Sequence, residues 1–393
     1  MARDSKRIGR LKAGLRRAKL DAMILRLPEN IVMSLGVWPM NGFSYAVFTA
    51  KGGPVALIAP SCEDREMGGC WADDVRFFTW PRLDMPDPAE AVRNQLRDVA
   101  RRCGLMRARI GYEGSFEFVA PSHNAGEVIV PCETSIAYLK SILPSARWSD
   151  VTDLLHRQRA TKTEGEVAKL RLVHRVASLG LKKFLTSVRP GVTEAQLAST
   201  VYRECLAKGV SLAGVQHVNV YPQISSGPGT FRGWRPVVTT GRRKLKGGEI
   251  ALLELAVCVN GLWADVTRVK VAGKPSSVQR AAFAAVKSAQ AAALKAVKAG
   301  VPAEWPHEVA TKILIDSGFE KQIVHLTGHG VGFRYHEPEP FLMPGNRRRL
   351  KVGHVCTVEP GLYDRAWGGI RIEDNVVVKK GGVEILTKAP KIL

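Results

Sequence analysis

The sequence predicts an α/β domain over roughly its first 150 residues, followed by an α+β domain whose sheet carries a set of acids and histidines. Three observations lead there. Helical patterns alternate with short apolar strands in the first part. From Ile250 onward, longer strand patterns are grouped with helices instead of alternating with them. The stretch from Ile323 to Glu373 then concentrates His325, His329, His336, Glu359 and Glu373 in apolar, glycine-punctuated sequence.

The elements follow in order. Ile8, Leu11, Leu15 and Leu20 lie at near-helical spacing, so Lys6 to Leu20 is an opening amphipathic helix. Asp21–Leu25 reads as a buried strand. Tyr45–Phe48 and Pro54–Ile58 read as two more, separated by the turn Lys51-Gly52-Gly53. Ala89–Arg102 is helical in pattern, and Arg109–Tyr112 and Glu127–Val130 look like later strands. The polar, basic segment from Trp148 to Thr163 is expected to cross between domains. Helices are expected from Thr163 to about Arg189, from Thr193 through Ala207, after the capping pair Ser276 and Gln279, and over Glu304–Ser317. Strands are expected at Ile250–Val257, Asp265–Val271, Val355–Val358 and Asn375–Val378. No internal repeat of 20–50 residues is apparent.

Composition narrows the function classes. The chain has 393 residues, 45% apolar and 24% charged, so two globular domains are the natural expectation. No secretory signal and no uncharged run of about 18 apolar residues is visible, so neither export nor a membrane span is expected. Seven scattered cysteines without a CxxC pair fit reduced thiols in a cytoplasm, with Cys258 and Cys356 as core residues. The formal net charge of +22 would suit an anionic partner. The basic residues are spread over the whole chain, however, and no nucleic-acid motif or interleaved aromatic accompanies them, which argues against specific nucleic-acid binding.

Acids and histidines carry the chemistry. Glu254 lies within the apolar run Glu249–Val257, and Asp265 lies eleven residues further on, across a turn at Asn260-Gly261. Two strands joined by a short turn pair side by side, so the two acids can face one another. Such acids repel unless a cation lies between them. Taken alone, Glu254 also reads as a strand-end acid and Asp265 as a turn cap. His325 and His329 are four residues apart, His336 follows seven later, and Gly328, Gly330 and Gly332 imply a backbone that approaches something closely. Glu359 ends a strand before Pro360-Gly361. Arg371 stands two residues before Glu373, on the same strand face. A mixed imidazole and carboxylate set suits several divalent ions.

With these residues in view, the chain resembles the creatinase/prolidase/aminopeptidase P superfamily, the pita-bread hydrolases. The resemblance covers nearly the whole sequence. Arg10-Leu11 through Asp21-Ala22 and Pro28-Glu29-Asn30-Ile31 resemble the family's non-catalytic N-terminal domain. Arg159-Ala160-Thr161-Lys162-Thr163-Glu164-Gly165-Glu166 resembles its interdomain segment, and Gly328-His329-Gly330 to Glu373 is the most specific part. The implied architecture is a creatinase-type α/β domain over residues 1–155 and an α+β pita-bread catalytic domain over 156–393. By position, Asp265, His329, Glu359 and Glu373 are implied metal ligands, with Glu254 at the place of the first aspartate. Asp265 and Glu373 would bridge two divalent ions (Mn, Co, Zn or Fe), and His329 and Glu359 would bind the second. His325 and His336 would contact the substrate, and Arg371 would orient the bridging carboxylate. The implied reaction is a metal-bridged hydroxide attacking a peptide or small amide carbonyl, with Glu359 shuttling the proton. A homodimer is also implied.

Two departures stand out. Glu254 is one methylene longer than the family's aspartate, which leaves room for a single-ion site. The family's H-x-x-P histidine has no counterpart in Arg232-Gly233-Trp234-Arg235-Pro236, and His217 lies further upstream. The expected function is therefore a metal-dependent hydrolase resembling an Xaa-Pro dipeptidase or aminopeptidase. A creatinase-like amidinohydrolase or lyase, and a non-catalytic basic binding protein on the same fold, are the alternatives.

Overall fold

The computed structural model describes residues 3–40, 43–80, 87–114, 133–235 and 239–393. The strand expected at Glu127–Val130, and Pro236, lie outside them. The described chain divides into two compact units, the first running up to Arg159 and the second from Ala160.

The first unit is built on a six-stranded sheet. Its strands are Ala22–Leu25 (β1), Tyr45–Thr49 (β2), Ala56–Pro60 (β3), Asp74–Phe78 (β4), Arg109–Tyr112 (β5) and Arg147–Asp150 (β6), in the order β4-β3-β2-β1-β5-β6. Helices Ser5–Arg17 (α1), Pro28–Leu35 (α2), Asp64–Met67 (α3), Pro88–Arg102 (α4), Glu133–Ile142 (α5) and Thr152–Ala160 (α6) accompany it. Val92, Leu96 and Val99 of α4 pack with Ala22, Ile24, Val47 and Ile58 of the sheet. This is the helical periodicity of the sequence meeting the inward face of pleated strands. The segment from Trp148 to Thr163 contains the boundary between the units, at Arg159/Ala160. Most of it is regular structure, because Arg147–Asp150 adds in parallel to β5 and Asp150 then caps the turn into α6 through Thr152. Sequence patterning missed α2, β4 and α5.

In the second unit, helices Glu164–Ser187 (α7) and Glu194–Gly209 (α8) precede a three-stranded sheet of Val218–Ser226 (β7), Ile250–Val259 (β8) and Leu262–Val271 (β9). Helices Ser277–Ala296 (α9) and Trp305–Asp316 (α10) follow. Then come Gly328–Gly330 (β10), Glu337–Leu342 (β11), Val355–Val358 (β12), Gly361–Asp364 (β13), Gly368–Arg371 (β14), Asp374–Val378 (β15) and Val383–Ile385 (β16). Capping boxes at Thr163, Thr193 and Ser276 start α7, α8 and α9, each pairing a hydroxyl with a Glu or Gln three residues on. Strand β7 was not foreseen. It contains Pro222, which breaks a strand pattern but is tolerated on an edge, and β7 is an edge strand. The core of this unit joins Val286, Ala289 and Ala293 of α9 to Leu252, Val269, Val358, Ile370 and Val376. Cys258 and Cys356 are fully buried in strands, as expected. Among the described residues, no helix is long and apolar enough to cross a membrane.

Candidate metal centre

The site begins with the β8–β9 hairpin. Asn260 and Gly261 take φ values of 51° and 80°, closing a two-residue turn in which Val259 pairs with Leu262. That register sets Glu254 opposite Thr267, and Asp265 opposite Ala256. The two acids therefore share a face diagonally, with Thr267 beside them both. Its hydroxyl donates to Glu373 Oε2 at 2.7 Å, lies 3.2 Å from Glu254 Oε2, and accepts from Arg371 Nε at 2.9 Å.

His329 comes from β10, which is pressed between β11 and β12. A Cβ on Gly328 would overlap the Thr357 carbonyl, and one on Gly330 the Glu339 carbonyl. At Gly332 (φ 141°) a Cβ would stand 2.6 Å from Lys162 Cε. The close approach inferred from these glycines is therefore to neighbouring chain. The His329 N–H donates to Thr357 Oγ1 at 3.0 Å, and Nδ1 donates to the Gly330 carbonyl at 2.9 Å. This places the Nε2 lone pair 3.3 Å from Asp265 Oδ2 and 3.4 Å from Glu359 Oε1. Burial pulls the His329 pKa down to about 4, so the ring is neutral at pH 7.

Glu359 follows β12, and its N–H donates to the Thr327 carbonyl at 2.8 Å. Glu373 sits between β14 and β15, not within a strand. Arg371 closes β14, and its Nε is 3.9 Å from an oxygen of both Glu359 and Glu373. Burial and the charge of Glu373 push the Glu359 pKa well above the usual carboxylate value. Burial also raises that of Glu373, against the opposing pull of Arg371. Glu373 Oε1 is buried with no hydrogen-bond partner.

Three groupings converge: Asp265, His329 and His336; His329, Glu359 and Glu373; and Glu254, Asp265 and Glu373. A neutral imidazole lone pair facing two carboxylate oxygens, beside an unpartnered buried carboxylate oxygen, is unstable without a proton or a cation between them. One imidazole and several carboxylates within reach of a common point fit a divalent ion such as Mn, Fe, Co or Zn.

The remaining expected residues fall as follows. His336 Nε2 lies 3.8 Å from Asp265 Oδ2, with its ring 4.6 Å from that of His329. His325 stands apart from the carboxylates. Its Nε2 accepts from the Tyr363 hydroxyl at 3.0 Å, which in turn accepts from Arg371 Nη1 at 3.2 Å. His217 lies at the turn end of the hairpin, just before β7, where its N–H donates to Asn260 Oδ1, six residues from Gln223, which stands opposite Glu254. Tyr335, Tyr363, Thr267 and Thr357 went unnoticed in the sequence. Tyr335 adjoins His336 and Thr267 lies two residues from Asp265, so proximity to suspected ligands was the only signal available.

A mixed sheet-and-helix domain presenting such a centre defines a metal-dependent hydrolase of the pita-bread class. Comparison with known proteins agrees. The profile of metallopeptidase family M24 matches residues 168–380. A protein of Lactobacillus helveticus named Xaa-Pro dipeptidase is 31% identical over 258 residues, covering 65% of this chain and 68% of that one. The prolidase of Pyrococcus horikoshii superposes with a TM-score of 0.78 at 22% identity, covering 99% of this chain and 100% of that one. An Xaa-Pro dipeptidase of Bacillus anthracis gives a TM-score of 0.79 at 21% identity, covering 99% and 98%. The chain belongs to metallopeptidase family M24, within the creatinase/prolidase/aminopeptidase P superfamily, and is a metal-dependent peptidase. The amidinohydrolase or lyase and the non-catalytic alternatives are not favoured.

Proposed function

We propose that this chain hydrolyses the peptide bond of Xaa-Pro dipeptides or short Xaa-Pro peptides, using a divalent centre held by Asp265, His329, Glu359 and Glu373. The observation that carries this reading is the convergence of a neutral His329 Nε2 with carboxylate oxygens at 3.3 and 3.4 Å. The name of the Lactobacillus helveticus relative supports the choice of substrate. Mn, Co, Zn and Fe all suit this donor set. The ion supplies Lewis acidity to the scissile carbonyl.

The protein's own groups do the rest. Glu359, at the rim of the cluster and held by the Thr357 hydroxyl at 2.9 Å, carries a proton between the attacking water and the leaving amine. Arg371 fixes the carboxylates through Thr267, and its Nη1 also donates to the Gly233 carbonyl at 2.8 Å. His336 contacts the substrate from beside His329, and His325 does so from the Tyr363 side. The boundary expected at 155/156 falls within α6, so we assign the non-catalytic role to the unit that ends at Arg159 and the catalytic role to the unit from Ala160. The protein works as a homodimer in the cytoplasm.

A panel of Xaa-Pro dipeptides assayed with added Mn²⁺ or Co²⁺ tests this. Turnover that a chelator removes, and that falls more than about a hundredfold in Asp265→Ala and in His329→Ala, is expected. Metal-loaded protein that turns over no Xaa-Pro dipeptide would move the substrate elsewhere among amides.

A further inference from the structure

We propose that Glu254 is held out of the metal centre by Tyr335 and Arg371, so that this chain binds one divalent ion, at Asp265, His329, Glu359 and Glu373, instead of two. The inference rests on the metallopeptidase reading above and concerns only how many ions the site takes.

Position alone does not decide the matter. Glu254 offers an oxygen within 4.8 Å of oxygens on Asp265 and Glu373, close enough for a second ion. What decides it is where the two Glu254 oxygens are already committed. Oε1 accepts from the Tyr335 hydroxyl at 2.6 Å. Oε2 is ion-paired with Arg371 Nη2 and lies 3.2 Å from the Thr267 hydroxyl. The extra methylene of a glutamate carries the carboxylate past Thr267 and into these two partners.

Neither partner is free to let go. Tyr335 is 1% exposed, with its ring centroid 6.0 Å from that of Trp263 and 4.3 Å from that of His336. Packing on both sides fixes the direction of its hydroxyl. The Arg371 guanidinium is buried and is held at Nε by Thr267, and at Nη1 by the Gly233 carbonyl and Tyr363. A second cation coordinated by Glu254 would face that guanidinium across one carboxylate, and both side chains are buried, where screening is weak. The other cluster has the opposite character. Glu373 Oε1 has no hydrogen-bond partner, and the His329 lone pair points at two carboxylates. Arg371 pairs directly with Glu254, whereas its Nε reaches oxygens of Glu359 and Glu373 only at 3.9 Å. Glu254 and Tyr335 are thus positioning residues. They anchor Arg371, which in turn orients Glu373.

The test is calorimetric titration of metal-free, full-length protein with Mn²⁺ alone, together with the electron paramagnetic resonance spectrum of the loaded protein. One equivalent per chain with the signal of an isolated ion is expected. Glu254→Gln should keep one equivalent, with affinity changed by less than about tenfold, and Asp265→Asn should lose it. Glu254→Asp pulls the carboxylate back from Tyr335, and Tyr335→Phe releases Oε1; both should take up more than one equivalent and show a coupled two-ion signal. Two equivalents in the unaltered protein overturn the proposal. So does uptake that stays at one in both releasing variants, which still test it if Glu254→Gln fails to fold. No Mn²⁺ binding by the unaltered protein would instead remove the metallopeptidase reading beneath it.

Discussion

Replacing Lys162 by methionine should destabilise the C-terminal unit by about 3–5 kcal/mol, the usual cost of stripping one partner from a buried ion pair. The structure puts this pair at the severe end of that class. Lys162 Nζ lies 2.6 Å from Glu337 Oε2, with side-chain exposures of 0% and 1%, so solvent screening offers no relief. The second Glu337 oxygen accepts the Phe333 N–H at 2.7 Å. The pair therefore ties the segment before α7 to the turn that presents Tyr335 and His336. Methionine keeps most of the lysine stem's volume, so the loss is electrostatic and not a cavity effect. Glu337→Gln should cost a similar amount, because it takes the opposing charge away from a fully buried ammonium. The double substitution removes both charges and should recover about 2–3 kcal/mol of the summed single costs. Urea unfolding followed by circular dichroism, at unchanged m-value, reads all four proteins. Single costs below about 1 kcal/mol, the range of exposed pairs, would refute the reasoning, as would a strictly additive double variant.

Three further outcomes follow from contacts elsewhere. Thr267→Val keeps the shape of the side chain but takes hydrogen bonds from Glu373 and Arg371, and should cost about 1–3 kcal/mol by thermal melting. Gly180→Ala should cost about 1–3 kcal/mol by overpacking, since its Cβ would overlap Cys205 Sγ and come within 3.0 Å of Leu255 Cδ2 where α7, α8 and β8 meet. The Arg171 guanidinium, with Lys379, pulls the Glu384 pKa down to about 2, so the stability this gives is present above about pH 4.5 and is lost as pH falls toward 2. Glu384→Gln should therefore flatten that part of the acid unfolding curve, by less than about 1 kcal/mol because the group is partly exposed.

Much of this architecture was legible because it depends on local chemistry. Helix starts at Thr163, Thr193 and Ser276 announce themselves through a hydroxyl and a partner three residues on. Asn260-Gly261 announces the hairpin through residues that tolerate positive φ. His329, Glu359 and Glu373 stood out as polar groups in sequence that otherwise asks to be buried, and the structure gathers them. What stayed hidden depends on contacts far apart in the chain. Nothing near Tyr335 in sequence says that its hydroxyl will meet Glu254, 81 residues away. The diagonal placement of Glu254 and Asp265 follows from a register that the turn fixes but the residue count does not reveal. His325, expected to contact the substrate and not to bind metal, is aimed at Tyr363, a partner that its spacing from His329 does not reveal. Strand β7 was masked by Pro222, and only its place at a sheet edge explains it.

The most direct test of a metal-dependent peptidase centred on His329 is to measure bound metal and peptide hydrolysis on one preparation. Elemental analysis of the purified protein would be paired with turnover of an Xaa-Pro dipeptide before chelation, after it, and after Mn²⁺ is restored. The account predicts that a stoichiometric divalent metal is present, that activity disappears with it, and that both return together. Hydrolysis that persists after the metal has been removed would contradict it.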